Sequence, residues 1–309
     1  MQTGPELSDE VRDALAAGRA VVALESTLLA HGLPRPDNRL AADTVEQAVR
    51  AAGAVPATVA VLDGVARVGL DATALDRVCT ESMHKLSGRD LPVAAALGRS
   101  GATTVAATAL LAHLAGITVF ATGGLGGVHR GAAVTSDVSA DLDTLARTPL
   151  VVVCAGVKSI LDVPATLERL DSFSVPVLGY RTDTFPLFYL RDSGYPVPWR
   201  VDSAAEVARV AVARTAYGFP QAVVVANPVP AAAQLDRALH DRVLAEALRA
   251  ADRAAVTGPR VTPFLLDWFH THTDGGSLEV NTALVRSNAA LAAEIAVALA
   301  ALTAAGAAS

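Results

Sequence analysis

Only two of the 25 basic residues are lysines, Lys85 and Lys158. Arginine keeps its proton inside a protein, whereas a lysine taken out of water can shed it and act as a nucleophile or base. Lys158 follows the apolar run LVVVCAGV, and in parallel α/β folds the ground beyond the carboxyl ends of the strands is where ligands bind. A low-dielectric setting there would depress its pKa and free the amine to attack a carbonyl carbon. The plain alternative is a lysine that merely ends a strand. Lys85 stands in SMHKLSGRDLP, a stretch that reads as a loop, where His84, Ser87 and Arg89 add donors. Such a cluster suits an anionic, oxygen-rich ligand such as a phosphate ester, although a solvated loop has the same composition.

Three further groups have residue types suited to chemistry. The stretch TGGLGGVHRG, residues 122–131, comes directly after the strand-like ITVFA. Its glycines would let the backbone approach a ligand and aim N–H groups at it. It has neither the Gly-Lys-Ser/Thr of a triphosphate loop nor the spacing of a dinucleotide fingerprint. His129 within it could donate to a phosphate or simply satisfy the loop. In TSDVSADLD, Asp137, Ser139 and Asp141 alternate, so extended backbone would project all three to one side. Their oxygens fit a hard ion such as Mg²⁺ or Mn²⁺ that keeps several waters. Equally, Ser139 could cap a helix ADLDTLAR with Asp141 at its positive end. Glu25 interrupts the apolar run VVALEST; it must pair with an arginine or carry a raised pKa and serve as a general acid. Asn281 and Asn288, two of the four asparagines, lie seven apart in a helical run. They share a face, there to reach a ligand or to pack as a polar pair.

The elements that must hold these residues alternate. A helix over residues 8–17 leads into the short apolar strand 21–27; the loop HGLPRPDN comes next, then a helix from Pro36 and Asp37 to about Ala52. PATVAVLDG, GITVFATGG, PLVVVCAGV, VPVLGYRT and QAVVVANPV are further β-rich runs, most of them separated by Ala/Leu-rich helical segments. That pattern marks a largely parallel sheet covered on both faces, an α/β fold. No linker or repeat divides the chain, so residues 1–309 read as one domain. The part after Ala231 reads as mostly helical, with a long final run from Ser277 to about Gly306.

Composition excludes several classes. A net charge of -6 argues against a nucleic-acid binder, and 52% apolar with 18% charged residues argues against disorder. Cys79 and Cys154 lack metal or redox spacing and read as buried thiols. The uncharged stretch 103–124 is long enough to span a bilayer, but His113, Gly116 and the β-branched residues after them divide it into a helix and a strand. No membrane association is expected. The acidic, amphipathic first twenty residues differ from a signal peptide, and the expected location is cytoplasmic.

Taken together, ALESTLLAHGLPRPDN, SMHKLSGRDLP, ATGGLGGVHRGA with SDVSADL, CAGVKSILD and NTALVRSNA resemble the pseudouridine-5'-phosphate glycosidase family, also called indigoidine synthase A-like. The likeness runs from about Val21 to about Ala298. It implies a three-layer α/β/α sandwich around a mostly parallel mixed sheet, assembled as a homotrimer. The implied reaction is reversible: pseudouridine 5'-phosphate and water give uracil and D-ribose 5-phosphate, with Mn²⁺ or another divalent ion such as Mg²⁺. The bond broken joins carbon to carbon, so protonation at a leaving nitrogen is not open to it, and an imine between a lysine and C1' of the opened sugar would supply the route. Carried over by position, Lys158 is the Schiff-base nucleophile, Glu25 the proton donor and Asp137 the metal ligand. Lys85, Val105, Ser139, Ala140 and Asp141 match substrate contacts, and Thr122, His129 and Asn281 are assigned more loosely to the phosphate and base ends. Two other readings compete: an N-glycosidase of another phosphorylated ribosyl compound, and a non-enzymatic sugar-phosphate-binding protein.

Overall fold

In a computed structural model, residues 4–256 and 261–307 are described. Among them eleven strands form one sheet: β1 (Glu6–Leu7), β2 (Val21–Leu24), β3 (Val55–Leu62), β4 (Val65–Val68), β5 (His84–Leu86), β6 (Gly101–Thr103), β7 (Val119–Ala121), β8 (Val151–Cys154), β9 (Val177–Tyr180), β10 (Trp199–Val201) and β11 (Val223–Ala226). The six apolar runs read from the sequence are β2, β3, β7, β8, β9 and β11. They form the middle of the sheet in the order β3-β2-β7-β8-β11-β9, parallel throughout. Every residue of these six strands is buried. That is why their sequences are continuous Val/Ala/Leu runs instead of alternating ones. Antiparallel pairing occurs where β4 and β6 join β3.

Helices complete the α/β/α sandwich. The Gly276–Ala307 helix lies on β2, β7 and β8 and packs against helices Asp37–Ala51 and Ala204–Ala216, whereas Val105–Leu114 packs on β2 and β3 together with Ala140–Leu145. Gly276–Ala307 is long and apolar enough to cross a membrane by length and composition alone. In this fold Val280, Leu284, Ala289, Ala292 and Ile295 bury one of its faces in the core. The stretch 103–124 divides as expected, with Thr103 ending β6, a helix Val105–Leu114 capped by Thr104, and then β7. Cys79 and Cys154 are buried free thiols.

Two local expectations need correction. The first apolar strand ends at Leu24 instead of running to Thr27, and Leu28–Gly32 is a π-helical turn. Asn38 holds that turn, its side-chain amide donating to the carbonyls of Leu29 (2.9 Å) and Cys79 (3.0 Å). The stretch around Lys85 is likewise more than a loop: His84–Leu86 pairs in parallel with Gly101–Thr103. In both places the deciding partners are distant in sequence, so local periodicity carries no trace of them.

Candidate active site

Glu25, Thr122 and Lys158 stand just beyond the carboxyl ends of β2, β7 and β8, three adjacent parallel strands. Parallel strands place their succeeding residues along one edge, so side chains far apart in sequence meet there. Lys158 is fixed by its backbone, its N–H donating to the Leu125 carbonyl at 3.1 Å and its carbonyl accepting from Leu161 at 2.9 Å. The turn before it needs glycine. Gly156 has φ +82, and a Cβ there would lie 2.1 Å from the Pro186 carbonyl oxygen. No described residue forms an ion pair with the Lys158 amine.

Glu25 makes no arginine pair among the described residues, which removes the structural reading of its carboxylate. By area the side chain is partly open, because one side faces the crevice, yet protein surrounds the carboxyl itself. Burial therefore pushes its pKa up, with the Lys158 charge and the Thr122 hydroxyl working against the rise. Thr122 donates to Oε1, leaving Oε2 to carry a proton. Thr122 is in turn positioned by Asn288, whose Nδ2 donates to the Thr122 carbonyl at 2.8 Å while its Oδ1 accepts from Asn227 at 3.0 Å. Of the two asparagines on one face, Asn288 is thus committed to protein. The side chain of Asn281, a residue 5% exposed, makes no hydrogen bond among the described residues, and its Oδ1 is a buried atom without a partner there.

These groups stand where two lobes join. One, about 440 Å³, is polar and includes Lys85, Val105, His129, Asp137, Ser139, Ala140 and Asp141 in its wall together with Glu25 and Lys158. That volume suits a nucleotide-sized ligand. The other is mainly apolar, walled by Leu28, Phe188, Pro263 and Leu266 with His31 and Asn281, and shares Glu25, Lys85 and Lys158 with the first. Every residue proposed from the sequence therefore lines the crevice except Thr122, which acts on it through Glu25. Burial, and then the Lys158 charge, lower the Lys85 pKa, while Asp141 and Glu25 oppose the shift. Val105 contributes the first turn of its helix, at the positive pole; the N–H groups of Ala106 and Ala107 are taken by Asp141 and by the Thr104 cap, and among the described residues only that of Val105 lacks an acceptor.

Asp141 is spent on the scaffold: its two oxygens accept from the N–H groups of Ala106 (3.0 Å) and Gly126 (2.8 Å). Ser139 is the N-cap of Ala140–Leu145, with its Oγ accepting from the Asp141 N–H at 3.2 Å. The helix-entrance reading of this stretch is thus present beside its place in the pocket wall. The glycine loop also differs from expectation, since the N–H groups of Leu125, Gly126 and Val128 go to protein acceptors. Its glycines make room instead: a Cβ at Gly124 would meet Phe188 at 2.6 Å, at Gly126 the Ser139 Oγ at 2.2 Å, and at Gly127 the Thr166 Oγ1 at 2.4 Å. Asp137 faces the polar lobe with its Oδ2 3.9 Å from Nδ1 of His129. Burial lowers the His129 pKa, against the pull of Asp137. No group of three or more His, Cys, Asp or Glu side chains able to hold a metal occurs among the described residues. The donors fit only an ion held by one carboxylate that keeps most of its waters.

Sequence reasoning passed over His31, Phe188, Thr262 and Leu266, all of which line the apolar lobe. His31 alone had a signal, a histidine six residues after Glu25.

An α/β sandwich with an amine and a protonatable carboxyl at the carboxyl edge of its parallel strands, opening on a lobe rich in anion donors, defines a class of enzymes that act on phosphorylated carbonyl compounds or sugars. Comparison with known proteins is more specific. The family described as "Indigoidine synthase A like protein" matches residues 10–298, and the chain belongs to it. The pseudouridine-5'-phosphate glycosidase of Streptomyces griseus is 61% identical over 298 residues, covering 96% of this chain and 92% of that protein. That of Frankia alni is 59% identical over 296 residues, covering 96% and 82%. Among solved structures, the prealnumycin C-glycosynthase AlnA in complex with ribulose 5-phosphate superposes with a TM-score of 0.91 at 39% identity, covering 98% of this chain and 99% of that one.

Proposed function

We propose that this chain is a pseudouridine-5'-phosphate glycosidase, which reversibly converts pseudouridine 5'-phosphate and water to uracil and D-ribose 5-phosphate. The observation that carries the reading is the meeting of Glu25 and Lys158 in one crevice, at the carboxyl ends of neighbouring strands. Relatives with this activity at about 60% identity support it, as does a structural neighbour whose name joins C-glycosidic chemistry to a pentulose phosphate.

The proton held on Glu25 by burial goes to O4' as the C1'–O4' bond opens, with the N1 electron pair of the base pushing through the ring to C1'. The Lys158 amine then bonds C1' and sheds a proton, which recharges Glu25. The bond from C1' to uracil C5 breaks as the nitrogen pair forms C1'=N, and C5 takes up the proton. Water hydrolyses the imine, releasing ribose 5-phosphate and the free amine. Lys85, His129 and the Val105 N–H at the positive end of its helix supply donors for the phosphate. Asp141 and Ser139 shape the wall that faces it. The metal would be Mn²⁺ or Mg²⁺ held by Asp137, and when bound it would steady charge on oxygens of the ligand through its waters. A cytoplasmic homotrimer belongs to the same reading, supported by the family resemblance.

The direct test is release of uracil and ribose 5-phosphate from pseudouridine 5'-phosphate by the purified protein with Mn²⁺. Uracil release from uridine 5'-phosphate instead would favour an N-glycosidase, and binding without turnover would favour a sugar-phosphate-binding protein.

A further inference from the structure

The apolar lobe contains few polar atoms, and the way they are committed points to its ligand. Asn281 is 95% buried by its 5% exposure, makes no protein hydrogen bond among the described residues, and leaves Oδ1 orphaned. An amide kept in that state through folding costs free energy unless a ligand completes it. His31, on the π-helical turn just after Glu25, opens on the same lobe. By area His31 is exposed, but its ring lies against protein, and this partial burial together with the nearby Lys85 charge favours the neutral form over the pull of its backbone partner at His84. A neutral ring that donates one N–H to a carbonyl presents its other nitrogen as an acceptor. The lobe wall thus offers an acceptor at His31, and a donor and an acceptor on the Asn281 amide.

Resting on the function proposed above, we infer that His31 and Asn281 read the far edge of a carbon-linked uracil and so select it over a nitrogen-linked one. When uracil is joined through C5, the edge opposite the sugar runs N1–H, C2=O, N3–H: donor, acceptor, donor. When it is joined through N1, as in uridine, the opposite edge runs N3–H, C4=O, C5–H and has a single N–H donor. The imidazole nitrogen of His31 accepts from N1–H, while Asn281 donates from Nδ2 to C2=O and accepts at Oδ1 from N3–H. C5 then points back toward Lys158 and Glu25 at the junction of the lobes, where bond cleavage takes place. The selection acts on the one N–H that distinguishes the two linkages, and an acceptor that the bound base covers but leaves unpaired costs about ten- to hundredfold in kcat/KM.

The test compares pseudouridine 5'-phosphate with its N1-methyl derivative, which keeps the carbon–carbon bond, the C2 carbonyl and N3–H. The wild-type protein is expected to cleave the methylated substrate about ten- to hundredfold less efficiently, and His31→Ala, which removes the acceptor and opens space, is expected to bring the ratio to within about threefold. Equal cleavage of both substrates by wild type would overturn the inference and leave the proposed function standing. So would a His31→Ala protein that loses rate on both substrates alike with the ratio unchanged, as a merely structural histidine would behave. Absence of uracil release from the unmethylated substrate would instead overturn the proposed function, and this inference with it.

Discussion

The two ends of the sheet make an instructive contrast. At the amino ends of β2 and β7, a void of about 560 Å³ lies between helices Asp9–Ala16, Ala204–Ala216 and Gly276–Ala307. It is larger than the polar lobe of about 440 Å³ at the carboxyl ends. Its titratable wall residues are two arginines, Arg19 and Arg214. Arg214 spends its Nη1 on the carbonyls of Leu150 (3.1 Å) and Gln221 (3.5 Å). The carboxyl end holds instead a carboxyl with a raised pKa, a lysine, Lys85, lowered by burial and by the Lys158 charge, and an amide whose oxygen has no partner among the described residues. Volume therefore does not identify the site. What does is the presence of groups that can lose or gain a proton and that the fold has left without full partners.

This contrast can be broken by substitution, and the largest effect should come from Lys158. Lys158→Arg keeps the charge but cannot form an imine, so turnover of pseudouridine 5'-phosphate should fall on the order of 10⁴-fold or more. Retention of full turnover would remove the nucleophile assignment. Glu25→Gln should lower kcat about 10²- to 10⁴-fold and raise Tm at neutral pH. The sign comes from linkage: the folded carboxyl holds its proton above the usual range, so the stability it gives is complete below the unfolded pKa and is lost as pH rises through the folded one. A neutral amide does not incur that loss, and a Tm gain that vanishes toward pH 4 is the expected calorimetric signature. For the same reason kcat in the wild type should fall on the alkaline side as Glu25 deprotonates, whereas the residual activity of Glu25→Gln should lack that limb.

Asp137→Ala should raise the Mn²⁺ concentration needed for half-maximal activity at least about tenfold; an unchanged requirement in a metal titration would rule out Asp137 as the ligand. The smallest effect belongs to the amino end. Filling its void with Thr303→Phe should leave kcat/KM within about twofold and stability within about 0.5 kcal/mol. A large loss of activity there would mean that the two ends are coupled.

The central strands were legible because burial on both faces requires unbroken apolar runs, as in VVVC and VVVA. The short strands β1, β4, β5, β6 and β10, two to four residues each, were not, since they exist through pairing with distant segments. Lys158 and Glu25 could be found from scarcity and from a charge set in an apolar run. The glycine loop misled for a physical reason: GGLGG reads as a ligand cradle, but Phe188, Ser139 and Thr166 occupy the space that its side chains would need. His31 was hidden because its meaning depends on the His84 backbone and on Asn281, 250 residues further along the chain.

Which amine bonds the sugar matters most, and both lysines stand in the crevice. Borohydride reduction in the presence of ribose 5-phosphate, with subsequent peptide mass mapping, addresses it directly. The expected result is a stable pentitol phosphate adduct on the peptide carrying Lys158, absent without reductant. An adduct on Lys85 alone, or none on either lysine while uracil is still released, would contradict it.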